Sequence, residues 1–293
     1  VQEALHKSLQ RAEQLGDRLA LSAVLTTLAQ CMRMRASLDE ALSYIQRAVG
    51  LEDAVPPGWL VQMHGELALI RLYRGEFAPS VELLWPLFDD VRSGRAHHTW
   101  VTIDHLNQAE HLAWALWCQG YPDQALAVSQ ELLDLVLREK AWFEPGTPMV
   151  LCGATCFVHQ LRREVSGVEQ GLQMLRPLLE SSLVGAFWRP VATFYQAWVH
   201  TLTGLSEQGI AELRSSLVEL SRRAVAEIPY LHGYLVQALG AAGQVEEGLA
   251  LVEEMLAQVE RTGERWSEAE LHRLKGELLR RGEGETRGLG DEE

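Results

Sequence analysis

The chain has 293 residues, 47% of them hydrophobic, and carries a formal net charge of -14 with a pI of about 5.2. So acidic a composition, without a compensating basic stripe, argues against nucleic acid or an anionic membrane as the main partner, since both reward positive charge. No apolar run reaches the length of a membrane span, and the opening residues VQEALHKSLQRAEQLGD lack a signal-peptide layout. Four cysteines, Cys31, Cys118, Cys152 and Cys156, lie in apolar stretches without framework spacing, which fits a reducing, cytoplasmic setting. The sequence begins without Met and inside an amphipathic pattern, so it reads as a piece of a longer chain, and its arginine bias hints at a bacterial source.

In chain order, hydrophobic spacing predicts an orphan helix over residues 2–15, then six helix pairs. The pairs are 18–35 with 38–52, 57–74 with 77–92, 99–119 with 123–140, 148–163 with 165–182, 187–203 with 206–224, and 229–242 with 244–262. An unpaired helix over 266–281 follows. Residues 1–281 are thus expected to form one domain, and the glycine-rich, charged stretch 282–293 a disordered tail.

The pairs repeat. LDEALSYI, FAPSVELL, PDQALAVS, VEQGLQML, SEQGIAEL and VEEGLALV align on Ala41, Ser80, Ala125, Gly171, Gly209 and Gly248, at intervals of 39, 45, 46, 38 and 39 residues. Five positions earlier stand Ala36, Gly75, Gly120, Ser166, Gly204 and Gly243, all small. Twelve positions earlier stand Ala29, Ala68, Ala113, His159, Ala197 and Val236. A first helix that must stop sharply, and a second that must approach it closely, both call for small residues. Units that cannot bury both faces alone must stack, so the expected fold is an all-α solenoid with half a repeat at each end.

Small residues at helix crossings resemble the tetratricopeptide repeat, although these units exceed its usual length of about 34 residues. Four stretches resemble the C-terminal repeat region of large bacterial signalling ATPases of the AAA or STAND type: AWALWCQGYPDQAL (113–126), HQLRRE (159–164), GAAGQVEEGLAL (240–251) and ERTGERWSEAELHRLKGELL (260–279). In that group the region follows an ATPase module and often a nucleotide cyclase, a kinase or a LuxR-type DNA-binding output domain. No GxxxxGK[ST] phosphate loop occurs in this chain. The resemblance therefore implies an input module, with the ATPase or output domain of the same chain among its partners.

Catalytic and metal constellations are weak. Cys152, Cys156 and His159 share a helical face and could ligate a soft metal, but cysteine on an apolar helix is more often core. His97, His98, His105 and His111, with Asp104 and Glu110 nearby, match no zincin spacing, and His97 and His98 are expected to be solvated. No GxSxG elbow occurs, and paired carboxylates such as Asp89 and Asp90 sit at helix ends. Neither enzyme chemistry nor a metal or cofactor is expected.

The tetratricopeptide phase instead selects an inner, concave face. Its positions are Gln30, Arg33, Gln62, Tyr73, Asn107, Glu110, Trp114, Trp117, Gln160, Arg163, Phe194, Trp198, Tyr230 and Gln237. Aromatic platforms interleaved with Arg, Gln and Asn suit a binding groove, although any one tryptophan is as readily inter-helix core. The expected function is a non-enzymatic interaction or sensory module that holds a peptide or partner domain in this groove. The alternative is a small-molecule sensor for a sugar-like or nucleotide-like ligand. A long open groove favours the first, and a closed aromatic pocket the second.

Overall fold

Local chemistry fixes the helix starts. The Asp17 carboxylate accepts the Ala20 N–H at 3.0 Å and caps the second helix. Pro57 and Pro122 begin their helices, where a missing N–H is harmless. The computed structural model describes residues 2–94, 102–138, 146–180 and 182–288. Its helices are α1 Gln2–Leu15, α2 Arg18–Met34, α3 Leu38–Val49, α4 Pro57–Tyr73, α5 Phe77–Arg92, α6 Thr102–Cys118 and α7 Pro122–Arg138. Then comes α8, a continuous run of Thr147–Met149, the π-helical Val150–Cys156 and Phe157–Leu161. It is followed by α9 Val165–Leu175, α10 Ser182–Leu202, α11 Ser206–Ser221, α12 Ile228–Ala241, α13 Val245–Thr262 and α14 Glu268–Gly288. No strand occurs among the described residues, and none of their helices is long and apolar enough to cross a membrane.

These helices form a TPR-like α-solenoid. Even-numbered helices are the first members of their pairs and face inward, and odd-numbered helices pack behind them on their own and the next pair. Two boundaries depart from expectation. Helix α9 stops at Leu175 and continues as a 3-10 turn over Arg176–Glu180, because Pro177 has no N–H to donate. Helix α14 runs on to Gly288 rather than ending at 281: glycines weaken a helix by about 1 kcal/mol each but do not stop it, and no proline follows. The last tail residues, 289–293, and the loop histidines His97 and His98 lie outside the described residues.

The fourth pair corrects the repeat register. Ala36, Gly75, Gly120, Gly204 and Gly243 take the left-handed conformation at the turns, but in the fourth pair Arg163 does so, at φ 59°, and not Ser166. The Arg163 N–H donates to Gln160 O at 3.0 Å and the Glu164 N–H to His159 O at 2.9 Å. Gly120 and Tyr121 make the same two bonds, to Trp117 O and Leu116 O. Arg162, bonded to Asp123 and Glu164, likewise repeats Arg74, bonded to Asp39 and Glu76. The equivalent of Ala125 is therefore the fully buried Val168, three residues before Gly171. Its partner twelve positions back is Cys156 rather than His159, and the Cys156 thiol lies 3.9 Å from Val168 O.

Among the three anchor glycines, Gly209 meets neighbouring backbone most closely. A Cβ there would lie 2.7 Å from Thr201 Cγ2 and 2.8 Å from Ala197 O and Thr201 N, all on α10. At Gly248 the nearest atom would be Leu278 Cδ1 of α14 at 3.0 Å, the end of a flexible side chain. Gly276, inside α14, has nothing within 4 Å of its added Cβ. Gly209 and Gly276 make opposite forecasts. Gly209→Ala should destabilise by about 1–3 kcal/mol through overpacking against backbone, while Gly276→Ala should stabilise by up to about 1 kcal/mol through helix propensity. Urea midpoints read both signs, and a Gly209→Ala midpoint at or above the parent's contradicts the tight crossing.

Candidate binding site on the inner face

The end of the solenoid returns to its beginning. The Val225 and Ala226 N–H groups, in the loop before α12, donate to Met34 O at 3.0 and 3.3 Å. The Arg265 and Trp266 N–H groups, in the loop before α14, donate to Tyr73 O at 2.7 and 3.3 Å. Met34 and Tyr73 are the last residues of α2 and α4, where carbonyls have no partner within the helix. The Tyr73 hydroxyl also donates to Glu227 Oε1. Glu227, left-handed at φ 70°, donates its N–H to Glu264 Oε1 at 2.8 Å. The Trp266 indole N–H donates to that same oxygen at 3.0 Å.

Behind this seam lies a buried polar centre. The Arg33 guanidinium grips Glu66 with two bonds of 2.7 and 3.1 Å, and its Cζ lies 5.5 Å from the centre of the Tyr73 ring. Burial opposes the charge on Arg33, but Glu66, with Tyr73 and Glu227, outweighs it and holds the group protonated. Two further carboxyls, Glu227 and Glu264, face that one guanidinium in low dielectric, and a third, Glu110, faces Glu227. Burial pushes all three up, helped at Glu110 and Glu264 by the neighbouring Glu227, and Glu264 rises to about 8. Burial pushes His111 down to about 3, leaving a neutral imidazole whose Nδ1–H donates to Asn107 O at 2.6 Å.

Aromatic rings fill the axis. Trp114 stacks on Phe157 at 4.0 Å between centroids and on Trp266 at 5.4 Å, and Trp266 meets Tyr230 at 4.7 Å. The π-helical turn of α8 serves this stack. The Phe157 N–H turns to Ala154 O and Cys152 O, so Gly153 O accepts the Trp114 indole N–H at 2.6 Å.

Beside the rings a cavity of about 480 Å³ remains, lined only by inner helices and the turns at their ends. Trp117, Trp198 and Trp266 supply aromatic wall, and α14 contributes Glu270, Arg273 and Glu277. Arg273 donates to both glutamates. The Tyr230 hydroxyl donates to Gln160 Oε1 at 3.0 Å and lies 3.0 Å from the Tyr234 hydroxyl. Gln160 Nε2 and Ser267 Oγ, both on buried residues that line the cavity, have no hydrogen-bond partner among the described residues. Buried polar atoms left so are costly, and a polar ligand is one way to satisfy them.

The inner-face positions divide accordingly. Trp117, Gln160, Arg163, Trp198, Tyr230 and Gln237 line the cavity. Arg33, Tyr73, Glu110 and Trp114 form the buried centre, so the expectation that they present an open groove is corrected: the returning loops cover them. Phe194 is buried against Tyr195 and Tyr234, and Gln30, Gln62 and Asn107 lie outside the cavity, Gln30 exposed on α2. Sequence reasoning missed Phe157 because of the register slip at Arg163, and Glu264 and Trp266 because the last helix has no anchor to phase it. Cys152 and Cys156 are buried thiols, pushed well up by burial, Cys156 to about 12, while His159 Nδ1 pairs with Glu164 at 2.7 Å. No group of three metal-ligating side chains is present among the described residues.

A tetratricopeptide repeat family model matches residues 109–131, the α6–α7 pair that carries Trp114 and Trp117. No curated protein matches the chain. Among solved structures, the Rap conjugation gene regulator of the plasmid pLS20, in complex with the Phr* peptide, is similar over 92% of this chain and 74% of its own, with 14% identity and a TM-score of 0.56. A Podosopora anserina putative kinesin light chain with TPR-like repeats matches 71% of this chain and 98% of its own at 17% identity and a TM-score of 0.42. The TPR2AB domain of yeast Sti1, in a complex with pHSP90, matches 89% and 99% at 11% identity and a TM-score of 0.34. The first of these likenesses supports the fold.

The buried ion pair makes a clear forecast. Arg33→Met alone leaves the Glu66 carboxylate buried without its partner and should cost about 3–5 kcal/mol. The double variant Arg33→Met with Glu66→Leu should recover most of that loss in chemical denaturation. A double variant no more stable than Arg33→Met contradicts the pairing.

Proposed function

We propose that the chain is a non-enzymatic ligand-binding repeat module that holds a short peptide segment of a partner in its inner cavity. The observation that carries this reading is the cavity floor, where Gln160 Nε2 and Ser267 Oγ are buried without partners beside the Tyr230 and Tyr234 hydroxyls and aromatic walls. Amide groups of a peptide supply the donors and acceptors that such atoms need, and its side chains suit flat aromatic surfaces. The fold shared with a regulator bound to a peptide supports the same reading. A small polar molecule is the second reading, favoured by one observation: the cavity beside the buried centre holds about 480 Å³, room for a compact ligand rather than a long strand. On the resemblance of the 113–126, 159–164, 240–251 and 260–279 stretches, the module is the cytoplasmic sensory part of a bacterial signalling protein with an ATPase and an output domain.

The test uses a displayed library of random heptapeptides selected on the intact chain. Gln237 and Trp117 are only half-buried and line the cavity, so Gln237→Leu and Trp117→Ala probe it with little damage to the fold. Selected peptides should lose about tenfold or more in affinity for either variant, one hydrogen bond or one stacked ring being worth roughly 1 kcal/mol or more. Peptides that bind both variants as well as the parent contradict the cavity as their site. If only sugars or nucleotides raise the melting temperature in a cavity-dependent way, the second reading replaces the first.

A further inference from the structure

We propose that the seam between the two returning loops and the ends of α2 and α4 is a latch that covers and uncovers the buried aromatic centre beside the inner cavity, with Trp266 as its moving plug. This rests on the reading of the inner cavity as the binding site and adds how that site is enlarged.

The seam differs in kind from every other junction in the molecule. Elsewhere, neighbouring helices along the chain pack face to face, and separating them destroys a repeat. At the seam, residues far apart in sequence meet through four backbone hydrogen bonds, the Tyr73 to Glu227 contact and the Tyr73 ring beside Trp266 at 6.4 Å between centroids. The acceptors are helix-end carbonyls that water can satisfy equally well, so opening leaves each helix pair whole. Trp266 belongs both to this junction and to the cavity wall, which Ser267 beside it also lines. Withdrawing them uncovers Trp114, Phe157 and Tyr230 and lengthens the cavity, already open to solvent past Arg163 and Leu202, into an inner groove.

The charges at the seam set the direction of control. Glu264, with its Oε2 unpartnered, faces Arg33 from α2, Tyr73 from α4, and Glu227 and Trp266 from the loops. Glu66 neutralises Arg33, and Glu227 faces Glu110 from α6. In the closed state Glu264 holds its proton up to about pH 8, against 4.5 for a free carboxyl. Closed protein therefore binds more protons than open protein, and raising the pH from about 5 to 8 favours opening by up to about tenfold per unit. Below about pH 4.5 both states are protonated and the dependence ends.

Amide hydrogen exchange tests this on the intact chain without ligand. After correction for intrinsic rates, protection at Val225, Ala226, Arg265 and Trp266 should fall about tenfold or more between pH 6 and pH 8, while amides within α4 and α12 hold theirs. Glu264→Gln keeps the acceptor oxygen but cannot ionise, and should remove the pH dependence. Tyr73→Phe, which loses only the bond to Glu227, should speed seam exchange at both pH values and keeps the proposal testable if the glutamine variant does not fold. Seam amides as protected as those of α12 at both pH values overturn the latch, as does Glu264→Gln with the parent's pH dependence or Tyr73→Phe with the parent's exchange. Gln237→Leu should leave seam exchange unchanged. A failed latch therefore leaves the cavity reading standing, and a failed peptide test leaves the seam measurement intact.

Discussion

Two carbonyl oxygens, Met34 O and Tyr73 O, carry the constraint on which the rest of the architecture depends. Each ends a helix and lacks a partner within it, and each accepts two N–H groups from a loop near the other end of the chain. A stack of helix pairs has no intrinsic reason to meet itself. Here it does, and the inner surface becomes an interior.

The interior has the chemistry of a closed space rather than of a groove. Rings from four repeats and from the Glu264–Ser267 loop pack along the axis, and Arg33 neutralises Glu66 beside them. Burial raises the other carboxyls there, Glu110, Glu227 and Glu264, the last to about 8, because it outweighs the stabilising bonds they make. Even the π-helical turn of α8 belongs to this closure, since it frees Gly153 O for the Trp114 indole. What the rings do not fill is the cavity, and its unpartnered Gln160 amide is the most direct sign of a ligand.

Much of this was legible in the sequence, because helix pairing is written in local residues. The six pairs, the orphan first helix and the unpaired last helix follow from spacing, and six of fourteen inner-face positions line the cavity. The fourth pair slipped by three residues because a left-handed arginine, Arg163, stands where the other turns have glycine or alanine. The repeated Arg162 and Glu164 contacts, matching Arg74 and Glu76, are the signal that would have restored it. Closure was not legible. It depends on backbone bonds between residues about 190 positions apart, and on a tryptophan in a turn with no repeat to phase it. Burial of Trp114 follows from closure, so its place in core rather than groove could not be read from periodicity.

The measurement that bears most directly on this account is small-angle X-ray scattering of the chain near pH 6. A solenoid closed on itself has the dimensions of a globular chain of its length, with a radius of gyration of about 19 Å. Opening the seam leaves an extended superhelix of the same helix content and larger radius. A value near 19–21 Å is the predicted result. A radius well above about 24 Å, with the circular dichroism of an all-helical protein, contradicts closure.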